Sequence, residues 1–93
     1  MKIKLTRHAI SRAKERFNLN EIQVRSYSVR AITEGLDVLD DPHLKPLFLR
    51  KAQNHENTSG IYYFEGMFFV YSDDYLVTIY PLSYIHEFVP EKK

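Results

Sequence analysis

The stretch TRHAISRAKERF, residues 6–17, decides how the rest of the chain is interpreted. Thr6 suits a helix N-cap, because its hydroxyl can accept a hydrogen bond from a free amide of the first turn. One side of the predicted helix is apolar and carries Ala9, Ile10, Ala13 and Phe17. The other side carries His8, Arg12 and Arg16 at intervals of four, with Glu15 beside them. The spacing therefore predicts a helix that packs on a sheet and presents an imidazole and two guanidinium groups at its edge.

A second helix is predicted over Glu21–Glu34. Asn20 is its expected N-cap, and Gln23 three residues later gives the spacing of a capping box. Gly35 is expected to end it as a C′ residue. The buried side should comprise Ile22, Val29 and Ile32, widened by Val24, Tyr27 and Ala31. This pattern is typical of a structural helix rather than a site.

The hydrophobic pattern changes after the second helix. Residues 36–46, LDVLDDPHLKP, contain two prolines and three aspartates, which favours turns over regular structure. Aromatic and aliphatic runs then predict four strands in an antiparallel meander: Leu47–Gln53, Ile61–Glu65, Met67–Tyr71 and Tyr75–Tyr80. Lys2–Leu5 allows a short N-terminal edge strand, and Leu82–Val89 allows either another short strand or an irregular segment. The fold class predicted is α+β, with two N-terminal helices packed on a four-stranded, mainly antiparallel sheet.

Length and composition restrict the class of protein. With 93 residues, of which 44% are hydrophobic, the chain is expected to form a single domain over residues 1–93. It contains no cysteine, which excludes disulfides and thiolate metal sites and agrees with a cytoplasmic location. We expect no secretory signal in MKIKLTRHA and no membrane partner, because no apolar segment approaches about 20 residues.

Charge is distributed unevenly along the chain. Residues 1–35 carry eight Lys or Arg against three Asp or Glu, a net charge of +5. Residues 36–93 carry five against nine, a net charge of −4. The helical half should therefore have a positive field that attracts phosphate groups, although the overall net charge of +1 is far from that of a protein that coats DNA.

The helical string HAISRAKERF at 8–17, the second helix and the ending LVTIYP at 76–81 resemble small phage- and toxin-associated domains of the barnase–EndoU–colicin–RelE class. The residues that carry the resemblance are His8, Ala9, Arg12, Glu15, Arg16, Thr78 and Tyr80. It implies an α+β fold and, as in many members, a metal-independent ribonuclease; other members have no known function. Several nucleases of this class use a second histidine or an added lysine, and this pattern does not select among His43, His55 and His86.

Cleavage of RNA without a metal or cofactor needs a base for the 2′-OH, an acid for the leaving 5′-oxygen, and cations beside the phosphate. A neutral His8 is the predicted base, and the predicted phosphate-binding residues are Arg7, Arg12 and Arg16. Glu15 is expected to orient Arg12 or Arg16. Thr78 and Tyr80 are expected to share one strand face with Leu76 and to complete a catalytic cleft if the first helix crosses the last strand.

Other interpretations compete with catalysis. His8, Arg12, Glu15 and Arg16 can be a solvated helix face, and Thr78 and Tyr80 ordinary strand residues. The chain can then be a non-catalytic regulator that binds a protein partner, an inhibitor or nucleic acid, or a structural subunit. The sheet aromatics suggest base stacking, but core packing explains them better. Because both faces of the strands are apolar, a homodimer is a further hypothesis. The scattered histidines have no recognised metal-ligand spacing.

Overall fold

The computed structural model describes residues 2–42 and 59–81. In these ranges the chain forms two helices, α1 (Arg7–Phe17) and α2 (Glu21–Glu34), and a short 3₁₀ helix at Val38–Asp40. The strands are β1 (Lys4–Leu5), β2 (Leu36–Asp37), β3 (Gly60–Phe64), β4 (Met67–Ser72) and β5 (Tyr75–Pro81). The predicted α+β class is confirmed, with five strands where four were predicted. The predicted strands Leu47–Gln53 and Leu82–Val89 lie outside the described residues.

The five strands form one mixed sheet in the order β1-β5-β4-β3-β2. β2, β3, β4 and β5 pair antiparallel, whereas β1 pairs parallel with β5. Two-residue turns join the central strands. Glu65 and Gly66 have φ values of 52° and 77° in the first, and Asp73 has a φ of 56° in the second. Left-handed backbone of this kind matches the twist of paired strands, which explains the tight meander.

Both helices begin where the capping residues predict. The Thr6 hydroxyl accepts a hydrogen bond from the amide of Ala9 at 3.1 Å. The Asn20 side chain accepts from the amide of Gln23 at 2.8 Å, and the Gln23 side chain accepts from the amide of Asn20 at 2.9 Å. The capping box is therefore complete, and it separates α1 from α2 within three residues.

The helices cover one face of the sheet. The buried cluster on this face includes Ala9 and Ala13 of α1, Val24 and Ala31 of α2, and Phe64, Met67, Phe69, Tyr71, Leu76 and Ile79 of the sheet. Its small helical residues let the helix backbones approach the strands closely.

The predicted buried side of α2 is wrong at one position. Ile22 is 80% exposed, and Ser28 is fully buried in its place. Ser28 is accommodated because its hydroxyl donates to the carbonyl of Arg25 and its carbonyl accepts from the phenol of Tyr71. Burial, and then the charge of nearby Tyr62, raises the pKa of Tyr71 far above its usual value. Ser28 can therefore be buried although it is polar, because its hydroxyl and its carbonyl are both hydrogen-bonded.

The predicted irregular connector after α2 begins instead with regular structure. Gly35 ends α2 as predicted, but with an extended backbone, φ −84° and ψ −178°, and not with the left-handed conformation that is common after a helix. A Cβ at this position would lie 2.4 Å from the Ala31 carbonyl oxygen and 2.7 Å from that of Tyr63. Glycine is thus required because helix and strand backbones meet here, and the chain continues directly into β2.

The second face of the sheet is also buried within the single chain. Val38, Ile61, Phe68 and Val70 form its core, with Leu39, Tyr63 and Tyr80 packed against them. Phe68 is 1% exposed, and Phe69 on the helical face is fully buried. These rings fill the core and do not offer stacking surfaces, as the core-packing interpretation predicted. The homodimer stays a prediction.

Candidate functional site

Helix α1 lies along β5. At its start, the Thr6 hydroxyl donates to the carbonyl oxygens of Leu76 at 2.9 Å and Val77 at 3.1 Å. At its end, Arg16 Nη1 donates to the carbonyl oxygen of Ile79 at 2.8 Å. Both ends of the helix are therefore tied to the strand that the sequence analysis required beside it. Beyond Leu76 the short strand β1 has ended, so these α1 side chains take its place beside β5.

His8, Arg12 and Glu15 form a contact chain on the exposed side of α1. Arg12 Nε donates to His8 Nε2 at 3.4 Å, and Arg12 Nη1 donates to Glu15 Oε1 at 2.8 Å. His8 Nε2 can accept this hydrogen bond only when it carries no proton. The two contacts hold the Arg12 guanidinium between an imidazole and a carboxylate at the helix surface.

Arg16 contacts β5 through two different groups. Besides its hydrogen bond to the Ile79 carbonyl, its Cζ lies 5.3 Å from the centroid of the Tyr80 ring. Tyr80 belongs to the sheet face away from the helices, so the half-buried Arg16 side chain passes around the strand edge to reach the ring. The guanidinium is held by a carbonyl on one side and by an aromatic ring on the other.

A β-bulge changes which side chains of β5 point together. Val70 pairs with Thr78 and Tyr71 pairs with Leu76, which leaves Val77 as an extra residue. Leu76 and Ile79 consequently face the helices, whereas Thr78 shares the face of its partner Val70. The prediction that Thr78 shares a face with Leu76 is wrong. Thr78 is 1% exposed and its hydroxyl has no hydrogen-bond partner among residues 2–42 and 59–81, so it lies inside the second core and away from the surface of α1.

The predicted site residues thus fall into two groups along α1. One group is His8 with Arg12 and Glu15, and the other is Arg16 with Tyr80. His8 and Arg16 are eight positions apart, which corresponds to about 12 Å along a helix axis. A single phosphate is smaller than this separation, so the arrangement suits an extended ligand that touches both groups.

Positive charge is concentrated on α1 rather than shared between the helices. α1 carries Arg7, Arg12, Lys14 and Arg16 against Glu15, a net charge of +3. α2 carries Arg25 and Arg30 against Glu21 and Glu34, a net charge of zero. On α2 each arginine is paired with a carboxylate, Arg25 with Glu21 at 3.7 Å and Arg30 with Glu34 at 3.4 Å. The i,i+4 spacing of these pairs is visible in the sequence, and it was the signal that would have located the basic surface on α1.

The opposite edge of the sheet is acidic. Asp37 ends β2 and Asp40 lies in the 3₁₀ helix, at the far side of the sheet from β1 and β5. Burial, and then the negative charges of Asp37 and Asp40, raise the pKa of Tyr62. Among the described residues, the net positive charge of α1 and the acidic residues at the β2 edge therefore lie on different sides of the sheet, which favours an anionic ligand at α1.

The side chains that commonly bind metal ions do not cluster in the part of the chain that the structure describes. There, no group of three or more His, Asp or Glu side chains is placed to hold a metal ion. His43, His55 and His86 lie outside the described residues. Within those same ranges, neither helix is long and apolar enough to cross a membrane.

Comparison with known proteins gives no relative: no protein-family model matches the chain, and no curated protein or solved structure matches it significantly. The resemblance to the barnase–EndoU–colicin–RelE class therefore rests on the quoted residues alone and stays a prediction. Function has to be argued from the geometry and charge of α1 and β5.

Proposed function

We propose that the protein binds RNA along α1 and the adjoining edge of β5. The observation that carries this proposal is the net charge of +3 on α1 beside a neutral α2. Both helices cover the same sheet face, so the difference creates a local positive surface rather than a general one. RNA is the class of nucleic acid proposed because the resemblance of residues 8–17 and 76–81 points to domains that act on RNA.

The length of α1 sets the number of phosphates that it can contact. Its 11 residues span about 16 Å, and its arginines are distributed from the first turn to the last. Arg7 in the first turn is exposed, Arg12 is oriented by Glu15, and Arg16 is held at β5. Three phosphate contacts with a single strand give an expected slope of about −2 for the logarithm of the binding constant against the logarithm of salt concentration.

The proposal is tested by fluorescence anisotropy with a labelled single-stranded oligoribonucleotide over a series of salt concentrations. The double variant Arg7→Gln/Arg12→Gln should weaken binding about tenfold or more and reduce the salt slope. The matched control Ser26→Glu/Thr33→Glu makes the same change in net charge on exposed positions of α2.

This control should leave binding within about twofold, because it lies away from the proposed surface. Equal losses in the two double variants would show that only net charge matters and would reject the surface. Absence of RNA binding by the wild-type protein would reject the function itself.

A second candidate function, a metal-independent ribonuclease, is favoured by one contact. His8 Nε2 lies 3.4 Å from Arg12 Nε and can accept its hydrogen bond only in the unprotonated form, which is also the form that a general base needs. In the reaction, His8 takes the 2′-OH proton, the 2′-oxygen attacks phosphorus, and the bond to the 5′-oxygen breaks. A second group protonates that 5′-oxygen, and the products are a 2′,3′-cyclic phosphate and a free 5′-OH.

Catalysis is tested separately from binding. Wild-type protein should cut RNA in EDTA and leave a 2′,3′-cyclic phosphate, whereas an oligonucleotide lacking the 2′-OH should stay intact. His8→Ala should abolish cutting with an unchanged melting temperature and with RNA affinity reduced by no more than about threefold. If several RNA types stay intact at high protein concentration, the ribonuclease is rejected while the binding proposal stands.

A further inference from the structure

Glu15 lies on the basic helix α1 and forms an exposed ion pair there. Its Oε1 accepts a hydrogen bond from Arg12 Nη1 at 2.8 Å, three residues away along the helix. The Glu15 side chain is 61% exposed and that of Arg12 is 37% exposed. Water screens a pair in this position, and both long side chains lose freedom when they form it, so the pair adds little to stability. A competing anion can therefore open it at small cost.

We infer that Glu15 is an internal competitor for RNA: its carboxylate holds Arg12 in the free protein and opposes the phosphate that Arg12 binds. The inference rests on the proposed function and names a residue that limits the affinity of that surface. Carboxylate and phosphate oxygens accept the same charge-assisted hydrogen bonds from a guanidinium. Because Oε1 lies at Nη1, a phosphate at this end of Arg12 either displaces the carboxylate or lies beside it, and two negative charges repel.

The position of Glu15 directs its effect at Arg12 rather than at the whole of α1. Arg7 and Lys14 are exposed on the same helix, and among the described residues neither takes part in an ion pair. Arg7 is eight positions before Glu15, about 12 Å along the axis, which exceeds the screening length of about 8 Å at physiological salt. The effect of Glu15 on RNA binding should therefore depend on Arg12.

The contact has a second effect, opposite in sign, because it also orients Arg12. Orientation favours binding, whereas the negative charge of the carboxylate opposes it. A glutamine at position 15 separates the two, since its amide oxygen can accept the same hydrogen bond but carries no charge. Alanine removes both the charge and the acceptor. If competition is the larger effect, both substitutions should strengthen RNA binding; if orientation is larger, alanine should weaken it.

The neutral helix α2 supplies a matched control. Glu34 pairs with Arg30 at 3.4 Å, and its side chain is 54% exposed, close to the value for Glu15. Glu34→Gln therefore makes the same change in net charge and also breaks an exposed ion pair with an arginine. It differs from Glu15→Gln in lying away from the proposed RNA surface.

The size of the effect follows from the repulsion between two unit charges. At a separation of about 4–6 Å in water, this repulsion and the screened pair that no longer has to be opened correspond to about threefold to tenfold in the binding constant at low salt. Salt screens the repulsion, so the gain should shrink as the salt concentration rises. The salt slope of Glu15→Gln should accordingly be steeper than that of the wild type.

The experiment measures fluorescence anisotropy with the same oligoribonucleotide. At low salt, Glu15→Gln and Glu15→Ala should each bind about threefold to tenfold tighter than the wild type, and Glu34→Gln should stay within about twofold. In the background of Arg12→Gln, the further change Glu15→Gln should alter affinity by no more than about twofold. Melting temperatures of all variants show that the folded state is being compared.

Three results would overturn the inference. Weaker binding by Glu15→Ala would show that orientation of Arg12 is the larger effect. Equal gains in Glu15→Gln and Glu34→Gln would show that only net charge matters. A full gain from Glu15→Gln in the background of Arg12→Gln would show that the carboxylate does not act through Arg12.

Competition at Arg12 is also measured without RNA. Inorganic phosphate is titrated into the protein while the side-chain N–H signals of Arg12 are followed by NMR. Glu15→Gln should reach half of the total change at a phosphate concentration about threefold to tenfold lower than the wild type. Equal titration curves, or no change in either protein, would reject the competition.

Failure of the inference and failure of the proposed function give different results. If the wild-type protein and Glu15→Gln bind no RNA, the proposed function fails, and the phosphate titration still decides whether Glu15 competes for Arg12. If the wild type binds RNA and Arg7→Gln/Arg12→Gln loses it, but neither substitution of Glu15 binds tighter, the binding surface stands and only the competitor role is rejected.

Discussion

Replacement of Gly35 by alanine should destabilise the protein for a steric reason. The backbone there is extended, with φ −84°, so alanine can adopt it without conformational strain. Its Cβ, however, would lie 2.4 Å from the oxygen of Ala31 and 2.7 Å from the oxygen of Tyr63. Both are backbone atoms, and Tyr63 pairs with Leu36 in the sheet. Either the last turn of α2 or the pairing of β2 with β3 must therefore move.

The magnitude follows from two opposing terms. Overpacking of this kind costs about 1–3 kcal/mol of unfolding free energy. The reduced freedom of alanine in the unfolded chain returns about 0.4–1 kcal/mol. The net loss is about 1–2 kcal/mol, which for a domain of this size lowers the melting temperature by about 5–15 °C. Thermal and urea unfolding, followed by circular dichroism, measure both quantities.

A matched substitution separates steric conflict from a general effect of alanine. At Gly60 a Cβ would meet only the Tyr62 side chain, at 3.3 Å, and that ring can move. Gly60→Ala should therefore change the unfolding free energy by no more than about 0.5 kcal/mol. A melting temperature of Gly35→Ala at or above that of the wild type would refute the close backbone contact.

Three further predictions concern the two cores. Thr78→Val replaces a buried hydroxyl, which has no hydrogen-bond partner in the described part of the chain, with a methyl group and should raise stability by about 1 kcal/mol in urea unfolding; a loss would show that the hydroxyl has a partner. Tyr71→Phe removes the hydrogen bond to the Ser28 carbonyl and should cost about 1–2 kcal/mol in the same assay. Because folding raises the pKa of Tyr71, its neutral phenol makes its full contribution to the free energy of unfolding below about pH 10. As the pH rises above that value the unfolded chain loses the proton first, so stability should fall by about 1.4 kcal/mol per pH unit, a component absent from Tyr71→Phe.

The elements predicted correctly are those fixed by neighbours in sequence. Thr6 and Asn20 cap their helices through groups within three residues, so spacing alone was sufficient. The elements missed depend on distant contacts. Gly35 is set by Tyr63, which is remote in sequence, and the bulge at Val77 is visible only when β4 is paired with β5. One extra residue in a strand reverses the alternation of faces, which is why Thr78 was placed on the wrong side.

The contacts of the candidate site also divide into those between residues close in sequence and those between distant residues. The contacts of Arg12 with His8 and Glu15 follow from helical spacing, and the structure contains both. The contacts of Arg16 with Ile79 and Tyr80 join opposite ends of the chain, so no local pattern in the sequence contains them. Their catalytic and binding roles stay predictions, because geometry alone does not measure a reaction or an affinity.

The way α1 packs explains why a basic surface and a sheet edge occur together. A strand edge exposes carbonyl oxygens that need donors, and here the Thr6 hydroxyl and the Arg16 guanidinium supply them. The amide of Thr6 donates to the Leu76 carbonyl, and its hydroxyl is shared between the Leu76 and Val77 carbonyls, so these two need no charged donor. The Ile79 carbonyl lies farther along β5 and accepts a hydrogen bond from the long side chain of Arg16. This contact brings a positive charge to the outer side of β5. The contact that protects the edge therefore also places a positive charge beside the Tyr80 ring, so the basic surface of α1 continues onto the outer side of β5.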